Sequence, residues 1–223
     1  MSDPYAYCAT LTRDQWAWEF LRRNPAYRAD YQQFITIWQT LEADYGAPPN
    51  RDFQRWKLDP RAYGPLPGAG ESDLSNTASD LCVGEDERVL LECWMGAKWG
   101  FHKFPLDPRV YAPTPDELNW RPLPAQAARD IEAPYRLDIA FDLSLPLPPQ
   151  LDAARFRLVS KMAELRRAGH TAPRSVASER VHWTKLLQVL DGQLDNATQL
   201  ARLTVEARAM VETGYRKILR LDK

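Results

Sequence analysis

The residues with the widest chemical range in this chain are three histidines and three cysteines, and their spacing builds no reactive centre. His102, His170 and His182 lie far apart, as do Cys8, Cys82 and Cys93. Cys82, Cys93 and His102 share one stretch, but none of the close-set CxxC or HxxxH pairs that wrap a metal is present. GxGxxG, P-loop, GxSxG and HExxH patterns are all missing. Carboxylates are plentiful, yet no motif pairs two of them for acid–base work. The sequence therefore assigns no catalytic residue, no metal, no cofactor and no small-molecule substrate.

The other chemistry that residue types can encode is charge. The net charge of −1 conceals a division. Residues 1–150 carry 15 Lys+Arg against 22 Asp+Glu, a net of −7, whereas residues 151–223 carry 14 against 8, a net of +6. A basic module behind an acidic body attracts polyanions. Counting about 100° per residue along a helix from 197 to 221, Arg202, Arg216, Lys217 and Arg220 fall on one arc, with Glu206 inside it. With Arg174, Arg180 and Lys185 just upstream, they form a candidate phosphate-contacting set; the alternative is an ordinary solvated face. Two indoles are candidates for a protein interface, Trp18 and Trp183, because Trp is enriched in binding hot spots.

These groups must be positioned by mainly helical elements. Thr12 and Gln15 have capping-box spacing, so a helix starts there, with Trp16, Phe20 and Leu21 facing inward and Glu19, Arg22 and Arg23 on the wetter sides. Asn24-Pro25 ends that helix and caps a second, predicted to about Asp44, whose Tyr27, Tyr31, Phe34, Ile35, Trp38, Leu41 and Tyr45 recur at steps of three and four. Gly46 is its expected C-terminal cap. Trp18 sits about 200° round from Trp16, so it either packs under a second part of the chain or anchors a partner.

The middle of the chain is rich in proline, with an exposed connection expected from Gly64 to Gly70 and a helix over 85–99 started by Glu85, Asp86 and Glu87. Residues 134–145 alternate apolar and polar and predict a strand, its mate expected at 117–121 around Trp120. Three helices follow. The first carries Leu151, Ala154, Leu158, Met162 and Leu165 on one inward face; the second spans about 177–191, and the third 197–221. The expected fold is thus mainly α with a small β element. Its domains are an N-terminal helical corner (1–47), a proline-rich middle with a short two-stranded sheet (48–145), and a C-terminal basic three-helix module (146–223). No run of 18 apolar residues predicts a membrane span, the first residues lack signal-peptide character, and the few cysteines predict a reducing cytoplasm.

Several stretches of the sequence are similar to a known group of proteins. Trp16-Ala17-Trp18-Glu19-Phe20-Leu21-Arg22-Arg23-Asn24-Pro25 with Tyr27, Arg28 and Tyr31 is the most specific of them. Others are Lys98-Trp99-Gly100, Asp107-Pro108-Arg109, Asn119-Trp120-Arg121-Pro122, Asp142-Leu143-Ser144, Leu190-Asp191-Gly192-Gln193-Leu194 and Gly214-Tyr215-Arg216. In these the chain resembles proteobacterial transcriptional regulators of integrative and conjugative elements. The resemblance implies a C-terminal variant helix-turn-helix domain and a role in transcription. Some such proteins are excision activators that bind promoter DNA; small relatives are antiactivators that bind another transcriptional regulator. One departure bears on that choice: Leu194 is followed almost at once by the last helix, where the family pattern has a longer segment. A helix-turn-helix needs two helices across a short turn, so the shortening favours protein docking while the charge division favours DNA.

Overall fold

The computed structural model describes residues 3–64, 88–102, 104–123, 133–170, 174–193 and 197–221, and the side chains of 197–199 are not among those described. Two compact units emerge, one made of residues 1–123 with 175–223 and the other of 124–174. This division cuts through the expected 146–223 module: the helix after Pro146 belongs to one unit and the last helices to the other.

The larger unit begins with a short 3-10 turn, Ala6–Thr10, and then helix α1, Arg13–Leu21. Thr12 Oγ1 accepts from the Gln15 amide, and the Gln15 side chain accepts from the Thr12 amide, the reciprocal cap expected from their spacing. Asn24 then caps α2, Pro25–Tyr45, accepting from the Ala26 and Tyr27 amides. Gly46 ends α2 at φ +83°, where a side chain would be strained. The inward stripe of α2 is buried as Tyr27, Tyr31, Phe34, Trp38 and Leu41.

The proline-rich stretch contributes α3, Phe53–Trp56, with Trp56 wedged against Trp38 at 5.1 Å between ring centroids. Helix α4 covers Leu91–Trp99, shorter than the expected 85–99, and the acidic turn at 85–87 lies outside the described residues. Val89 and Leu90 are taken up elsewhere: Leu90 bridges Tyr63, and the Gly64 amide donates to the Val89 carbonyl. Helix α4 buries residues on nearly every side, Leu91, Cys93, Trp94, Met95 and Trp99 among them, and Gly100 closes it at φ +94°. One short turn, α5, spans Pro115–Leu118 with a Thr114–Glu117 capping box.

The remaining helices of this unit are α7, Val176–Leu190; α8, Ala197–Ala209; a π-helical turn, Met210–Gly214; and α9, Tyr215–Ile218. They do not fold apart from the N-terminal corner. Trp183 of α7 packs on Trp16 at 5.3 Å and Phe20 at 6.5 Å, and Val211, Tyr215 and Ile218 join the same buried cluster. Burying each such side chain contributes about 1.5–3 kcal/mol, so the core rewards the two ends of the chain for meeting.

Two expectations fail in the middle and in the smaller unit. Residues 134–145 form no strand: they run as irregular chain and turn, and no sheet forms among the described residues. A strand must have its backbone paired, and the intended mate is committed elsewhere, since Trp120 bridges Phe101 while Asn119 and Arg121 exchange backbone hydrogen bonds with His102 and Gly100. The Gln150 side chain instead closes the turn, accepting from the Asp142 amide and donating to the Asp142 and Pro146 carbonyls.

Helix α6, Leu147–Arg167, exists as expected, but its apolar face is not covered. Only Ala154 is buried; Leu151, Leu158 and Met162 are 56%, 49% and 40% exposed, and Phe156 is 74% exposed. No helix among the described residues is long and apolar enough to cross a membrane.

Candidate nucleic-acid interface

The helical corner and the last helices meet at polar groups that the sequence had distributed over nearly its whole length. Asn24, buried at the corner, caps α2 with its side-chain oxygen and donates its amide to the Val211 carbonyl at 2.9 Å. Val211 lies in the π-helical turn, where i→i+5 spacing changes the ordinary backbone partners. Tyr215 then donates its hydroxyl to the Trp99 carbonyl at 3.2 Å. The C-terminal helix is thus tied to the α1–α2 corner through Asn24 and to the end of α4 through the Trp99 carbonyl.

A second junction joins the Arg-Arg-Asn-Pro and Leu-Asp-Gly stretches. Arg23 grips Asp191 with two hydrogen bonds of 2.8 Å, and Tyr5 donates to the same carboxylate at 2.9 Å. Glu19 pairs with both Arg22 and Arg23 and accepts from the Tyr7 hydroxyl. Glu19 and Arg22 were expected on wetter sides, yet they are 1% and 5% exposed. Helical position alone placed them outside; they neutralise each other within one turn of α1, with Arg23 beside them, and burial of a paired ion is tolerable where that of a lone one is not. Burial acts to raise the Asp191 carboxyl, but the hydrogen bonds and charge of Arg23 outweigh it and hold it below the usual carboxylate range. Burial and the neighbouring carboxylates push the Tyr5 and Tyr7 hydroxyls well up, so both remain donors.

Around this frame lie the candidate cations. Lys185, Arg202 and Lys217 are exposed and carry no ion pair among the described residues. Arg208, which lies outside the arc expected from the sequence, is equally exposed and equally free of a carboxylate among the described residues. Arg216 is different: it donates to the Lys98 carbonyl at 2.7 Å and to the Tyr215 hydroxyl at 3.1 Å, so much of its fork is spent inside the fold. Arg180 is half-buried, and its Nε is sequestered without a hydrogen-bond partner. Arg174 belongs to the other unit, and Arg220 is exposed. Glu206 lies 2.7 Å from His182, tying α8 to α7.

The single basic arc of Arg202, Arg216, Lys217 and Arg220 is not retained. A π-helical turn accommodates one extra residue, which rotates everything beyond it by roughly 100° relative to a regular helix. Met210–Gly214 stands between Arg202 and the other three. No periodicity count could locate that turn. Gly214 is the one local signal: a Cβ there would come within 2.6 Å of Met210 Sδ and 3.1 Å of the Ala209 carbonyl.

Neither tryptophan expected at a protein interface is on the surface. Trp18 is wholly buried, edge-on to Tyr27 and Phe101, and donates Nε1 to the Val110 carbonyl at 3.1 Å. Trp183 is 4% exposed within the core. Both indoles hold the chain to itself because their large apolar area finds partners within it. No group of three potential metal ligands occurs among the described residues, and Cys82 lies outside them.

Residues 1–61 match the family model of a proteobacterial transcriptional regulator-like domain. The matched segment includes α1, the Asn24-Pro25 corner and α2. No curated protein and no solved structure matches the chain. The match supports a role in transcriptional regulation.

Proposed function

We propose that this chain is a transcriptional regulator that contacts DNA through the basic surface of α7, α8 and α9, in the manner of activators of integrative and conjugative element excision and transfer. The observation that carries this reading is the set of exposed cations without carboxylate partners, Lys185, Arg202, Arg208 and Lys217, on helices that share a core with the regulator-like domain. Unpaired Lys and Arg side chains displace counterions from phosphate, and each contact adds about 0.9 to the salt slope. Replacing Lys185, Arg202 and Lys217 together with alanine lowers that slope by about 2–3 and leaves the melting temperature unchanged. An unaltered slope removes this surface from the reading.

A second reading has its own observation. The uncovered apolar side chains of α6, from Leu147 to Met162, favour a regulator that docks on another transcription factor without reading DNA itself. Polar substitution of Leu151 and Leu158 then abolishes a heterocomplex that persists at moderate salt, while any DNA binding is untouched.

A further inference from the structure

Between α2 and the 107–111 segment lies a cavity of about 670 Å³ whose lining the reading above does not use. Its volume is in the range that takes small molecules. Its most telling group is Tyr31. Six tyrosine hydroxyls of this protein donate to a neighbour: those of Tyr5, Tyr7, Tyr27, Tyr45, Tyr63 and Tyr215. Tyr111 and Tyr135 are largely exposed. Tyr31 is 9% exposed, packs its ring against Tyr27 and Phe34, and has no hydrogen-bond partner for its hydroxyl among the described residues. Tyr31 lines the cavity together with Asp107 and Arg109. Burial raises its pKa first of all, with Asp107 adding and Arg109 subtracting; it is a neutral O–H donor at neutral pH.

The charges of the wall do not cancel. Arg22 is paired with Glu19 and stacks on the Tyr111 ring at 4.3 Å. Arg109 is paired with Asp107 at 2.6 Å. Arg28 has no carboxylate: its Nε donates to the Arg22 carbonyl at 2.7 Å, which aligns the guanidinium and leaves its terminal nitrogens available. Exposed Gln32 and Gln39 add amide donors from the same side of α2, and Ile35 with the Tyr111 ring supplies an apolar wall. One guanidinium without a carboxylate and one hydroxyl without a protein partner line the same space, and they are the donors a carboxylate or phosphate needs, since charge-assisted bonds to Arg are strong and directional.

We propose that this cavity binds a small organic anion, its carboxylate or phosphate held by Arg28 and the Tyr31 hydroxyl and its apolar body lying against Ile35 and Tyr111. The test is calorimetric titration of the full chain with benzoate, with phenyl phosphate and with the neutral benzamide. Saturable binding of at least one anion, with benzamide at least tenfold weaker, supports the site, and the tighter anion identifies the headgroup. Tyr31→Phe removes only the unpartnered oxygen, so the fold is kept; it weakens the bound anion several-fold, and Arg28→Gln weakens it at least tenfold. Lys185→Ala leaves it unchanged. The absence of saturable binding of either anion up to about 10 mM, equal binding of benzamide, or undiminished binding in both Tyr31→Phe and Arg28→Gln overturns the proposal.

Discussion

Asn24 is the residue through which the sequence motif at the helical corner governs the position of the C-terminal helix, and its two roles are separable by substitution. Its oxygen caps α2, and its amide donates to the Val211 carbonyl in the π-helical turn. Asn24→Ser keeps a capping oxygen but removes the amide donor. A buried carbonyl left without its partner costs about 1–3 kcal/mol. Asn24→Ala removes the cap as well, a further 0.5–2 kcal/mol or about 1 kcal/mol typically. With about 2 kcal/mol for the serine variant and about 3 kcal/mol for the alanine variant from these ranges, and about 2–4 °C per kcal/mol for a unit of this size, the serine variant melts about 4–8 °C lower and the alanine variant about 6–12 °C lower. Tryptophan fluorescence is the assay: all eight tryptophans lie in residues 1–123 and 175–223, so the signal reports on this unit alone. A serine variant as stable as the parent would refute the reasoning, because the Val211 contact would then contribute nothing. Equal losses in both variants would remove the cap instead.

Trp183→Ala empties the core between α1 and α7 and costs about 3–5 kcal/mol; any loss of partner or DNA binding in this variant tracks the loss of folded protein in a thermal melt. Arg216→Ala lowers stability, since its guanidinium holds the Lys98 carbonyl, whereas Lys217→Ala next to it changes salt-dependent DNA affinity without moving the melt. Asp191 has a depressed pKa in the folded state, so its contribution is present above the unfolded value of about 3.9 and is lost as pH falls through the lower folded value. Urea titrations below about pH 4 therefore show a shallower acid loss in Asp191→Asn than in the parent, from a lower starting stability.

How far the fold could be read from sequence depended on the distance between the residues that decide each feature. Thr12 with Gln15, and Asn24 with Pro25, are decided within a few residues, and both caps form as their spacing predicts. The alternation over 134–145 needed a paired neighbour, and pairing is a property of remote chain; Trp120 had already bridged Phe101. Glu19 and Arg22 counted as surface residues by helical position, but Tyr7 and Arg23 let them be buried. The Arg23–Asp191 pair spans 168 positions and no local pattern announces it. The surplus of Lys and Arg after residue 150 was legible as composition, but a net of +4 falls in residues 151–174, in the other unit, and only +2 in 175–223, and the layout of the cations there was not legible because the π-helical turn changes the helical register. For Trp18 the sequence left packing under the chain and anchoring a partner both open, and Trp183 was a candidate anchor by residue type; packing placed both indoles inside.

The central claim is tested most directly by titrating the full chain with DNA from its own upstream region and with unrelated DNA of equal length, at about 50 and 200 mM salt. Contacts from Lys185, Arg202, Arg208 and Lys217 lower affinity by about a hundredfold over that interval, and the upstream DNA is preferred tenfold or more, about 1.4 kcal/mol. Equal binding to both DNAs that vanishes at the higher salt, or no binding at the lower, would contradict DNA recognition by this surface.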